Sequence, residues 1–229
     1  MLNKLIFTKK NPLIEAKFGK KNIFNFLNLY SLWLFNNNKL FQKCVSSKNN
    51  LNFPDGKPIA KKLKILQERG PSFTRNFLQD DFARDKKHFF IGLEISEIER
   101  LSKVTKIPKK KIWAYNPPFI KEMEFSNKEK IKMIQKINNF KTDYLWICIG
   151  NPKQEILANQ IFNSVKVNKI FNVGAALDFL LKRKKECPKI LQNMGVESVY
   201  LGITNPKRAF KKIKKSFIGL KYLKGIKLE

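Results

Sequence analysis

Histidine is almost missing from this chain: His88 is the only one among 229 residues. A Ser-His-Asp triad is therefore excluded unless His88 serves it. His88 opens a strand-like run, where an ordinary structural role is the better reading. Cysteine is nearly as scarce. Cys44, Cys148 and Cys187 are odd in number and far apart, so they make neither a disulfide framework nor a zinc spacing and fit a reducing cytosol. Acidic residues are few, 18 against 47 Lys and Arg, and no Asp-x-Asp occurs; Asp80 and Asp81 are adjacent in a charged stretch. Long apolar runs are absent too. Ile23–Phe35 and Ile170–Leu181 are broken by Asn or Asp and too short to span a bilayer. Met1 to Lys10 lacks the long apolar stretch of a signal peptide.

What is present supports a real core. The hydrophobic content is 43%, and the length suits one large domain or a domain with an appendage. A net charge of +29 implies an anionic partner: nucleic acid, a membrane surface or a phosphorylated substrate. Lys, Asn, Ile and Phe are over-used together, so part of that charge is compositional drift.

Taken in order, residues 1–20 read as basic and irregular at the start. Asn22–Leu27 reads as a strand and Leu29–Lys43 as a helix with Leu32, Phe35, Leu40 and Phe41 inward. Lys61–Gln67 looks helical, and Arg69–Arg75 is a loop entering another helix, with Ser72 or Thr74 as its cap. Strands are expected at His88–Ile91, Lys111–Tyr115, Tyr144–Ile149 and Lys169–Val173. Helices are expected at Ser96–Val104, after the capping box Ser126–Glu129 (a helix carrying Ile131, Ile134 and Ile137), at Pro152–Phe162 and from Ala175. This alternation predicts an α/β, Rossmann-like, largely parallel sheet with helices on both faces. The organisation expected is a basic segment over 1–20, an α/β core over 21–190 and a small basic helical appendage over 191–229. In the last, Phe210, Ile213, Phe217 and Leu220 recur at helical spacing among lysines, as in a helix on an anionic membrane or a basic helix packed on the core.

Asp143–Glu155 is the most informative stretch. Its apolar run reads as a buried strand, Gly150 allows a sharp turn, Asn151 suits an N-cap and Pro152 the first helical position. In open α/β sheets ligands gather at such a strand-to-helix junction, where helix N–H groups are free and Lys153 would add charge for an anion. The structural alternative is that Asn151 and Gln154 only cap the helix. Pro54-Asp55-Gly56 is the second informative site. Asp-Gly is a common turn, but between a strand and a helix it puts a carboxylate, a possible general base, at the same end of the sheet.

Five motifs then occur in a recognisable order. They are Pro54–Ile59, Arg69-Gly-Pro71, Ile149–Glu155, Val173–Phe179 (with Gly174) and Gly195-Val-Glu197 followed by Asn205–Arg208. Over roughly residues 20–215 they resemble the WecG/TagA/CpsF glycosyltransferase family. The resemblance implies an inverting enzyme that transfers a sugar, often N-acetylmannosamine, from a UDP donor to polyprenyl-diphosphate-linked N-acetylglucosamine at the cytoplasmic membrane face. It makes Asp55 the base and puts Asn28, Gly150, Lys153, Gln154, Glu155 and Gly174 in the substrate or nucleotide site. Arg69, with Arg75 as the alternative, matches the arginine after the Asp-Gly helix. Lys207, Arg208 and Lys211 fall where the family has appendage arginines that could neutralise a diphosphate. The chain departs from the family pattern at Phe26, Ser198 and Leu201.

A UDP leaving group needs its developing charge stabilised by metal or by fixed donors and cations. Without Asp-x-Asp, the expectation is catalysis with no metal and no cofactor. The expected partners are the UDP-sugar, the lipid-diphosphate acceptor and an anionic membrane surface, with no nucleic acid. The rival classes are a basic nucleic-acid-binding protein, for which no RNP-like or helix-turn-helix signature is found, and a catalytically silent membrane-surface adaptor.

Overall fold

The computed structural model describes residues 4–188 and 206–229, the side chains of the second segment from Ile213 onward. Strand β1 (Leu5–Phe7) and helix α1 (Pro12–Phe18) come first. A six-stranded sheet follows, built from β2 (Asn22–Leu27), β3 (Asn50–Pro54), β4 (His88–Ile91), β5 (Ile112–Tyr115), β6 (Tyr144–Ile147) and β7 (Lys169–Asn172). Its order is β3-β2-β7-β6-β4-β5, and every pairing is parallel. The expected α/β, Rossmann-like architecture is what the chain adopts.

Strand register divides the sheet into two chemically different faces, because successive side chains point to opposite sides. One row across the sheet runs Leu51, Phe24, Phe171, Trp146, Phe90, Ala114. Helix α5 (Gly70–Leu78) lays Phe73 and Phe77 on that row, and the Trp146 and Phe171 rings lie 4.5 Å apart. With α6 (Asp81–Arg84), α7 (Ile98–Thr105) and α10 (Ala176–Leu180), these aromatics form one core. The opposite face packs Ile23, Phe89, Leu145, Ile147 and Ile170 against α8 (Asn127–Asn139) and α9 (Lys153–Ile161). Helices thus cover both faces, as a buried parallel sheet requires.

The ends of the chain depart from expectation. Residues 5–7 are a strand rather than irregular. They pair in parallel with the last strand, β8 (Ile226–Leu228), and Leu5, Phe7 and Ile226 share a cluster with Leu27, Leu32 and Phe35. Between them lies helix α11 (Pro206–Gly219), which packs along α2 (Leu29–Asn37). Contact is so close that a Cβ on Gly219 would fall 2.1 Å from the Leu29 carbonyl oxygen. The basic tail is therefore tied to the core through its last residues. Of its apolar stripe, Phe217 is 60% exposed and Leu220 39%, while the Phe210 side chain lies outside the described residues.

Several boundaries were set by polar side chains. The helix expected over Leu29–Lys43 breaks at Asn38, whose side chain accepts from Phe41 N and opens α3 (Lys39–Val45); capping there outweighs continuing the helix. Helix α4 (Lys57–Leu63) starts four residues before the expected Lys61, with Pro58 in its first turn, and Pro71 likewise opens α5. Thr74 is not a cap: its hydroxyl donates to the Gly70 carbonyl inside α5. In α8 the Ser126 half of the capping box forms, and Met133 and Ile137 face inward while Ile131 is exposed.

His88 is structural, as expected. Its Nδ1 accepts from Trp146 Nε1 at 3.1 Å, Nε2 lies 2.9 Å from the Ala83 carbonyl, and the ring is fully buried. Burial pushes its pKa down from 6.5 to about 4. A base with a depressed folded pKa contributes stability that is complete above the unfolded value and lost as pH falls through the folded one. Stability should thus decline between pH 6.5 and about 4, by up to about 3 kcal/mol from this group. In chemical denaturation across that window, His88→Phe should show a smaller decline than the native chain. Parallel pH profiles would contradict the assignment.

Candidate active site

Four neighbouring strands, β3, β2, β7 and β6, end on one side of the sheet, and the loops that follow them enclose a cavity of about 350 Å³. This is the strand-end position where open α/β sheets bind ligands. Asp55 and Gly56 enter it from the β3–α4 loop, Asn28 from the β2–α2 junction, Gly150, Asn151 and Gln154 from the β6–α9 turn, and Asn172 and Gly174 from the end of β7. Arg69, just before α5, closes one side. Six of the sequence-selected residues (Asn28, Asp55, Arg69, Gly150, Gln154 and Gly174) therefore share one cavity.

Local backbone chemistry explains this convergence. Asp55 N donates to the Leu27 carbonyl at 2.9 Å, so the Asp-Gly turn is held against the end of β2. Gly56 has φ +143 and Gly150 φ +87, conformations that an L side chain rarely adopts. The Asn28 side chain caps α2, accepting from Tyr30 N and Ser31 N, while Ser31 Oγ returns a bond to Asn28 N. Ser31 Oγ also accepts from Asn151 Nδ2 at 3.2 Å and so joins α2 to the β6–α9 turn.

Other selected residues are placed differently. Asn151 is not the N-cap of α9; Pro152 holds that position, and the Asn151 side chain donates to Ser31 and to Glu155 Oε1. Gln154 also makes no cap, for its Nε2 donates to Glu155 Oε1 at 3.0 Å. Glu155 is fully buried, so its carboxylate anchors the turn from below. Burial, and then the charge of Glu155, raises the Tyr30 pKa above its ordinary value. Lys153 turns away from the cavity: its ammonium donates to the Ile120 carbonyl and lies 5.1 Å from the centre of the Phe119 ring. The side chains of Lys207, Arg208 and Lys211, with Gly195–Asn205 including Ser198 and Leu201, lie outside the described residues, although Ser216 of α11 reaches the cavity wall.

Sequence reasoning missed Asn172, Ser31, Glu186 and Cys187. Asn172 had one signal, a polar residue ending an otherwise apolar strand just before Val173-Gly174. Glu186 had none, because its role depends on a distant pairing. Its carboxylate meets Arg75 at 2.7 Å and Arg69 at 3.5 Å, so both candidate arginines converge on one internal acid.

A family model described as "Glycosyl transferase WecG/TagA/CpsF family" matches residues 11–224. The chain belongs to the WecG/TagA/CpsF family. Relatives include proteins of Staphylococcus aureus strains NCTC 8325 / PS 47 and N315, both named N-acetylglucosaminyldiphosphoundecaprenol N-acetyl-beta-D-mannosaminyltransferase. Each is 29% identical over 76 residues, a match spanning 33% of this chain and 30% of the relative. The cavity of this WecG/TagA/CpsF chain is thus lined by an acid, Asp55, by the polar β6–α9 turn and by Arg69.

Glu186 sets how much of that guanidinium charge an incoming anion meets. Glu186→Gln should tighten binding of inorganic pyrophosphate roughly threefold to tenfold, about 1 kcal/mol for one partly exposed charge. Titration calorimetry checks this, and weaker binding by the variant would show that Glu186 only holds the arginines in place.

Proposed function

We propose that this chain is an inverting glycosyltransferase that moves a sugar, N-acetylmannosamine by similarity to its named relatives, from UDP to a polyprenyl-diphosphate-linked N-acetylglucosamine. The observation that carries this reading is the position of Asp55, in the same cavity as Gln154 and Arg69 at the carboxyl ends of adjacent strands.

In this reaction Asp55 takes the proton of the acceptor hydroxyl as that oxygen attacks C1 of the donor sugar. The bond from C1 to the β-phosphate oxygen breaks, and its electron pair leaves with UDP. Attack from the opposite side inverts the anomeric centre. Arg69, with Arg75 behind it, offers positive charge to the departing diphosphate. Lys207, Arg208 and Lys211, which match the appendage arginines of the family, add further cations for the diphosphate. The chain works without a divalent metal, supported by the lack of Asp-x-Asp and by the Arg69 and Arg75 guanidinium groups.

The place of work is the cytoplasmic face of the plasma membrane. None of the described helices is long and apolar enough to cross a bilayer. The exposed Phe217 and Leu220, among the lysines of residues 206–229, suit reversible attachment to anionic lipid at about 1 kcal/mol per basic residue. A cavity of about 350 Å³ suits a small phosphorylated ligand better than it suits a nucleic-acid strand.

Asp55→Asn should cut transfer to a short-chain lipid-diphosphate N-acetylglucosamine by a factor of about 10² to 10⁴ while UDP still binds. Near-normal turnover would remove Asp55 from the role of base. Activity should also persist in excess EDTA. If chelation abolished it and Mg²⁺ or Mn²⁺ restored it, the metal-free description would fall.

A further inference from the structure

On the sheet face opposite the aromatic row, the next register position carries three asparagines side by side: Asn52, Asn25 and Asn172. All three are buried, and their amides are hydrogen-bonded in a chain of fixed direction. Asn52 Nδ2 donates to two backbone carbonyls, of Ile6 and Val45, so its Oδ1 must be the acceptor toward Asn25. Asn25 Nδ2 donates to that oxygen at 2.9 Å and to Asn50 Oδ1 at 2.8 Å. Asn25 Oδ1 is then left to accept, and it does so from Asn172 Nδ2 at 2.7 Å. Backbone carbonyls, which can only accept, thereby fix every amide in the row. The last amide oxygen, Asn172 Oδ1, faces away from Asn25 on a residue of the cavity wall, 1% exposed and without a partner among the described residues.

The same logic holds across the cavity. Glu155 Oε1 accepts from both Asn151 Nδ2 and Gln154 Nε2, which fixes those amides with their oxygens away from the carboxylate. Asn151 Oδ1 and Gln154 Oε1 are also buried and without partners among the described residues. Above Gln154 lie two glycines: a Cβ on Gly174 would sit 3.6 Å from Gln154 Oε1 and 4.0 Å from Gly150 Cα. Two independent anchors thus leave three buried amide oxygens without donors on residues that line the cavity. Buried acceptors without donors are costly, so such a lining favours a ligand that brings N–H or O–H groups and disfavours phosphate.

We infer that Asn172, oriented by Asn25 and Asn52, is a specificity-determining residue that accepts a hydrogen bond from an N–H or O–H of the bound ligand. The inference rests on the nucleotide-sugar reading above. It divides the cavity into an acceptor wall of Asn151, Gln154 and Asn172 for the sugar or the base, and a cationic side at Arg69 for the diphosphate. Asn25 and Asn52 act only through Asn172 and are positioning residues.

Calorimetric binding of UDP and of UDP-N-acetylmannosamine to the full chain and to Asn172→Ala tests it. Asn172→Ser, whose hydroxyl can still donate toward Asn25, guards against loss of the fold, and thermal melts confirm folding. Loss of one ligand hydrogen bond should weaken binding about fivefold to tenfold. If only the sugar nucleotide is weakened, the donor is on the sugar; if both ligands are weakened alike, it is on the uridine. Unchanged affinity for both ligands in a folded variant overturns the inference while leaving the nucleotide-sugar reading intact. Failure of the unsubstituted chain to bind either ligand overturns that reading and the inference with it.

Discussion

The parallel register of β3, β2, β7 and β6 is the constraint on which the rest depends. It puts Phe24, Phe171 and Trp146 in one row, where Phe73 and Phe77 cover them, and at the next position it aligns Asn52, Asn25 and Asn172 on the other face. A one-residue slip would exchange the two faces, burying amides among phenylalanines and leaving aromatics where the amides now pair. Since an unpaired buried amide costs about 1–3 kcal/mol, the asparagine row excludes that slip as firmly as the aromatics do. The same register carries Asn28, Asp55, Gln154 and Gly174 to one end of the sheet.

Charge is distributed around this framework in a way that the net value does not convey. Of the 47 basic residues, three that the motifs single out are held by specific partners: Arg69 and Arg75 by Glu186, Lys153 by the Ile120 carbonyl. The acids at the cavity are placed as specifically. Asp55 lies on a turn at the cavity, whereas Glu155 is buried beneath it and serves to orient two amides. Of these two carboxylates, Glu155 is architectural, and Asp55 is the one proposed above for the chemistry.

The α/β alternation was legible because strands and helices here have short, distinct apolar patterns, and the strand-to-helix junctions at Asp55 and Gly150 were legible because glycine and proline punctuate them. Where the reading went astray, polar side chains with two possible uses were responsible. Asn38 could continue a helix or cap the next one, and it caps. Asn151 could cap α9 or brace Ser31 and Glu155, and it braces. Lys153 was expected to face an anion because of its place in the motif, yet a carbonyl 33 residues away in sequence takes its ammonium. The pairing of β1 with β8 and the convergence of two arginines on Glu186 are long-range facts that no local pattern encodes. Asn172 belongs with them, since its meaning comes from the strands on either side.

A crystal structure of the chain grown with UDP-N-acetylmannosamine tests the central claim most directly. The account predicts difference density inside the strand-end cavity, with the diphosphate toward Arg69, the C1 atom facing Asp55, and N–H or O–H groups against Gln154 and Asn172. Density bound elsewhere on the protein, or a cavity left empty by a ligand shown to bind, would contradict it.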